Sequence, residues 1–166
     1  MRSITEPTPN RETTSSLDCP RCEGGTRSIR EIIIHCSATP EGKDFSVKDI
    51  DRWHRERGFK MVGYHYVIRL DGTIEQGRPL EMIGAHCTGH NAHSIGICYI
   101  GGLDRSGNPK DTRTQVQKDV LWSLVKSLQK RFSHKGPCGE LVEPTVHGHK
   151  EFANKACPCF EVKEEL

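Results

Sequence analysis

The chain has 166 residues, with 24 Lys and Arg against 22 Asp and Glu. That length suits one domain with a core of useful size, and the near-neutral balance offers no broad basic field for nucleic acid. No run approaches the roughly 18 to 20 apolar residues of a membrane span, and Met1 to Asn10 lacks the apolar core of a secretory signal. The expectation is a protein made in the cytoplasm with no signal for its own export and no membrane insertion. Sixteen glycines and few aromatics fit a loop-rich α/β domain better than a helical bundle.

Residues 1–28 are polar, carry Pro, Ser, Thr and Glu, and show no apolar period, so they read as a flexible arm ahead of a domain over 29–166. Cys19-Pro-Arg-Cys22 within it looks like half a zinc knuckle. A structural zinc site needs four ligands, and no second pair at zinc-ribbon spacing follows, so the simpler reading is a tail with two reducible thiols. Ile32-Ile-Ile-His35 then reads as a buried strand ending in a histidine. Ser46 and Asp49 have capping-box spacing, Val47, Ile50 and Trp53 make a narrow apolar stripe, and Gly58 sits where the helix stops. His54, set among Arg and Glu, is expected to be solvated or at a groove edge.

Gly63 to Leu70, the Asp71-Gly72 pair and Thr73 to Gln76 read as a β-hairpin, since Asp-Gly supplies the positive φ angles of such a turn. Gly84 to His93 is a glycine-rich loop with three histidines, feeding a central strand from Ser94 to Ile100. Thr114 to Phe132 is the clearest helix, with Val116, Val120, Leu121, Leu124, Val125 and Leu128 on one face. Ser133 to Pro144 is a turn-rich connection, and Thr145 to His149 is a short strand.

Eight cysteines (19, 22, 36, 87, 98, 138, 157 and 159) are many for a cytoplasmic chain, yet nothing signals the secretion that a disulfide framework would need. Cys98, inside an apolar strand, reads as a small buried hydrophobe. Cys36, next to His35 on a strand, should face the opposite way, into the core. The densest chemistry lies in Thr145 to Cys159, which holds two histidines, a lysine and two cysteines. Imidazole and thiolate suit zinc, and three protein ligands with one open position is the catalytic arrangement. On residue type alone, His35, one of His147 or His149, and one of Cys157 or Cys159 converge on one zinc ion.

These residues carry a resemblance. Ile34-His-Cys-Ser-Ala-Thr39, Trp53-His-Arg-Glu-Arg-Gly-Phe59, Val62-Gly-Tyr-His-Tyr-Val-Ile68, Gly84-Ala-His86, Gly89-His-Asn91, Ser94-Ile-Gly-Ile97 and His149 through Lys155-Ala-Cys-Pro158 stand in one order over roughly residues 30 to 162. They resemble the type 2 family of zinc-dependent N-acetylmuramoyl-L-alanine amidases, which includes bacteriophage lysozyme-type amidases and, more distantly, the peptidoglycan-recognition proteins.

The resemblance implies a central mixed sheet flanked by helices, with a zinc cleft on the face opposite the 114–132 helix, closed by the 84–93 loop. It implies one zinc per chain on His35, His149 and Cys157, with His147 as the fallback ligand. Tyr64 and Lys155 are implied as catalytic partners, and His86 and Asn91 as groove-side substrate contacts; His90 and His93 read as solvated. The substrate implied is the amide between N-acetylmuramic acid and L-alanine in peptidoglycan, cut by a monomeric phage or prophage endolysin. The alternative is a non-catalytic peptidoglycan-binding module, but such relatives characteristically lack the cysteine ligand that Cys157 provides here. A zinc-stapled adaptor built on Cys19 and Cys22 is disfavoured by the near-neutral charge and the lone cysteine pair.

Overall fold

The computed structural model describes residues 27–166, so the Cys19–Cys22 pair lies outside the described residues. In chain order the elements are β1 (Glu31–Cys36), β2 (Thr39–Pro40), α1 (Val47–Glu56), β3 (Tyr66–Ile68), β4 (Ile74–Gln76), β5 (Ser94–Tyr99), β6 (Gly102–Leu103), α2 (Gln115–Arg131), β7 (His134–Lys135), β8 (Leu141–Val142), β9 (Thr145–Gly148) and α3 (Val162–Glu165). The main sheet runs β4-β3-β5-β1-β9. Its inner pairs are parallel, and β4 closes one edge antiparallel to β3. Gly72, with φ of +85°, makes the hairpin turn to β4 that the Asp-Gly pair predicts.

Alternation along β1 and β5 sends side chains to two different layers. Ile32, Ile34 and Cys36, with Ile95, Ile97 and Tyr99, pack beneath α2 through Leu121, Val125 and Leu128. On the opposite face Val67, Cys98 and Ile100 meet Ile50 of α1, with Trp53 and Tyr64 packed at the margin. His35 belongs to this second face. Cys36 goes to the α2 core, as alternation requires.

Both long helices start on caps written in the sequence. The Asp49 carboxylate accepts from the Ser46 backbone N–H, and the Thr114 hydroxyl accepts from the Gln117 N–H while Gln117 reaches back to Thr114. The buried face of α2 differs from the hydrophobic count. Val116 is 48% exposed, whereas Gln117 is fully buried. Its amide donates to the carbonyls of Ile68 and Ile100; the Ile68 carbonyl also accepts the Ile100 N–H at 2.9 Å, so Gln117 is a second donor there and the donor to the buried Ile100 carbonyl beyond the end of β5. The 133–144 connection also contains a small antiparallel hairpin, β7 with β8.

Candidate active site

The site begins with strand register. β1 and β9 are adjacent and parallel, and Ile34 pairs with Gly148. The next residue in each segment is a histidine, His35 still on β1 and His149 just past the end of β9, so the two emerge side by side with ring centroids 4.5 Å apart. Crevices outside the carboxyl ends of parallel strands are where α/β sheets bind ligands. Cys157 arrives on the turn after a short 3₁₀ segment (His149–Glu151), and several bonds hold that turn. The buried Tyr99 hydroxyl donates to the Pro158 carbonyl at 2.6 Å, and the Lys150 N–H donates to the Cys157 carbonyl at 2.7 Å. The Cys36 backbone N–H points at the Cys157 sulfur, 3.2 Å away.

The outcome is a cluster of three donor residues that could hold a metal ion. One donor atom from each of His35, His149 and Cys157 lies within 4.8 Å of the others. His35 Nδ1 is 3.9 Å from the Cys157 sulfur, which marks Nδ1 as the nitrogen facing the shared centre. Burial, then the His86, His149 and Lys155 charges, hold His35 well below its ordinary pKa, and burial followed by Lys155 lowers His149. Both imidazoles therefore stay neutral, the form that binds metal. Two imidazoles and a thiol suit a borderline-soft divalent ion.

The alternatives are occupied elsewhere. His147 has both ring nitrogens engaged, Nδ1 with Glu151 at 3.0 Å and Nε2 with the Thr145 hydroxyl at 2.9 Å. Period-2 reasoning does not relate it to His149, because β9 ends at Gly148 and His149 opens the 3₁₀ turn. Cys159 packs toward the α2 core, its sulfur 3.8 Å from that of Cys36.

Tyr64 and Lys155 line the cleft above this cluster, with Trp53, His54, Arg57 and the Ser37-Ala38 turn. The Tyr64 ring lies 5.0 Å from that of His35. Burial, then the cysteines at 98, 157 and 36, raises the Tyr64 pKa well above its ordinary value, so the hydroxyl keeps its proton. Lys155 is exposed, and among the described residues its ammonium pairs with no carboxylate.

Three sequence expectations change. His54 stands at the groove edge but is not solvated: it is only 5% exposed, its Nδ1 accepts the Gly63 N–H at 2.8 Å, and its ring stacks on Phe59. An Arg- and Glu-rich helix segment hid this because only one face of α1 is solvated. His86 and Asn91 do not line the cleft, and the 84–93 loop backs His35 instead of closing the groove. His86 Nδ1 lies 2.9 Å from His35 Nε2, and the Asn91 side-chain oxygen accepts the backbone N–H groups of His86 and Cys87. His90 is half-buried, bonded to Glu31 at 2.8 Å and stacked on Phe152, while His93 is exposed as expected.

The profile of the N-acetylmuramoyl-L-alanine amidase family matches residues 25–160. The chain belongs to this family. The amidase is 39% identical over 133 residues to an endolysin of Klebsiella phage KP32, covering 80% of this chain and 82% of that one. It is 38% identical over 136 residues to the endolysin of Escherichia phage T7, covering 82% and 84%. Among solved structures, the N-acetylmuramoyl-L-alanine amidase LysC from Clostridium intestinale URNW superposes with a TM-score of 0.67 at 27% identity, covering 83% of each chain. The amidase shares with that solved structure the mixed sheet and flanking helices, and it is an enzyme of the N-acetylmuramoyl-L-alanine amidase class.

Proposed function

We propose that this amidase is zinc-dependent and that His35, His149 and Cys157 hold the ion, one per chain. The observation that carries the reading is the convergence of those three donors at the base of a cleft lined by Tyr64 and Lys155. Zinc held there supplies Lewis acidity toward water and the scissile carbonyl. The chain's own residues do the rest. Lys155 presents an unneutralised ammonium where negative charge builds on the carbonyl oxygen during attack on the amide. Tyr64, kept protonated, donates a hydrogen bond that orients the reacting groups. The substrate in this reading is the amide joining N-acetylmuramic acid to L-alanine of the peptide stem.

Relatives bearing the name endolysin support a phage lysis role, in which the amidase acts on the cell wall after release. Among the described residues no helix is long and apolar enough to cross a membrane. The chain is read as a monomer, and the domain boundary expected at residue 29 moves back to at least Arg27, whose guanidinium donates to the carbonyls of Leu80, Asn91 and Ser94. Retention of Cys157, Tyr64 and Lys155 supports an enzyme over a module that only binds peptidoglycan.

Removing the Lys155 charge tests the assignment. Lys155→Ala should keep its zinc and lose about 100- to 1000-fold in turnover on muropeptides, the usual cost of one oxyanion donor. A Lys155→Ala enzyme with unchanged turnover would remove Lys155 from the mechanism. Tyr64→Phe should likewise retain metal and lose turnover.

A further inference from the structure

The geometry points to His86 as a positioning residue that fixes the tautomer and ring orientation of His35 for metal binding. This rests on the zinc reading above. A neutral imidazole carries one N–H, and a nitrogen that binds metal must be bare. His35 turns Nδ1 toward Cys157, so its proton sits on Nε2 and is donated to His86 Nδ1 at 2.9 Å. His86 Nδ1 is then the acceptor, and its own proton is on Nε2, 3.2 Å from the hydroxyl of the fully buried Ser94. The relay runs from ligand to histidine to serine; the two imidazole tautomers are coupled through the 2.9 Å contact, and the Ser94 hydroxyl accommodates the result as acceptor.

The surrounding chain is shaped to hold that ring. A Cβ on Gly96 would lie 2.6 Å from His86 Cγ and Cδ2, and one on Gly84 would lie 2.5 Å from Cδ2. Real Cβ contacts are not this close, so the two glycines form a slot that any side chain would fill. Asn91 fixes the backbone beneath it through the His86 and Cys87 N–H groups. Arg27 fixes the far side, its guanidinium donating to the carbonyls of Leu80, Asn91 and Ser94. With both ring nitrogens used internally, His86 has nothing left to offer a substrate. Partners that orient a metal-bound histidine through its second nitrogen typically affect metal affinity 10- to 100-fold.

The δ position separates this role from slot-filling. Asn at 86 keeps an acceptor where Nδ1 stands, Leu offers none, and Gln carries its amide one bond farther, toward Ser94. Zinc affinity is measured by competition with a chromophoric chelator, and the absorption of the cobalt(II)-substituted protein reports ligand geometry. Melting of the zinc-free protein controls for folding. His86→Asn should stay within a few-fold of wild type in zinc affinity, with a near-native cobalt spectrum. His86→Leu should lose about 10- to 100-fold with an altered spectrum, and His86→Gln should follow Leu, which keeps the test open if the Leu variant fails to fold. Equal affinity in Asn and Gln variants, whether both native or both weakened, would overturn the positioning role. Wild type binding no zinc would overturn the metal reading itself, before any variant is compared.

Discussion

Five imidazoles, those of His35, His54, His65, His86 and His149, stand in and behind the cleft, and burial is the first cause that lowers the pKa of each. For His54 and His65 neutrality also serves the fold. His54 Nδ1 accepts the Gly63 N–H and His65 Nδ1 accepts the Gly96 N–H, so protonation at either nitrogen destroys a buried bond. Both fall from 6.5 to about 4 in the folded chain. Between those values the unfolded chain binds more protons, so stability is fully present above pH 6.5 and is lost as pH falls toward 4. Each histidine contributes on the order of 3 kcal/mol over that window. Urea unfolding of the zinc-free protein between pH 7 and pH 4.5 should show this decline, with a shallower slope in His65→Gln. A flat profile in the zinc-free wild type would contradict it.

Helix α2 shows what secondary elements disclose and what they conceal. Its bounds are legible because Thr114 and Gln117 satisfy the first backbone donors, and its apolar stripe is legible as core. Its exact rotation is not, because counting hydrophobic residues ranks Val116 above Gln117. The Ile100 carbonyl reverses that order, since it lies in the core and Gln117 supplies its donor. Gln117→Leu should therefore cost about 1 to 3 kcal/mol in chemical denaturation, from the buried Ile100 carbonyl left unpaired. Val116→Ser should change stability by no more than about 0.5 kcal/mol, and the opposite ranking would refute the role given to Gln117. The histidines follow the same rule. His54 and His86 look like loop or surface residues in sequence, and only their backbone and ring partners across the fold reveal otherwise.

At the scale of the molecule, the site exists because parallel pairing aligns segments more than a hundred residues apart. Residue types alone bring His35, a second histidine and a cysteine to one metal, but leave His147 against His149 and Cys157 against Cys159 open. The resemblance to the amidases selects within both pairs. The selection has a physical basis that lies in tertiary structure: the Ile34–Gly148 register, the Glu151 and Thr145 partners of His147, and the Tyr99 bond that turns Cys157 toward His35. The packing of the 84–93 loop against His35 is not legible for the converse reason, because a glycine-rich loop can pack behind a cleft as readily as along it. The measurement that bears most directly on the proposed zinc chemistry is metal content together with muropeptide hydrolysis, on wild type beside Cys157→Ala. The expected result is one zinc per wild-type chain, with new amino termini on L-alanine, and both lost in the variant. Zinc and hydrolysis retained by Cys157→Ala would contradict the site, and zinc without hydrolysis in the wild type would contradict the chemistry assigned to it.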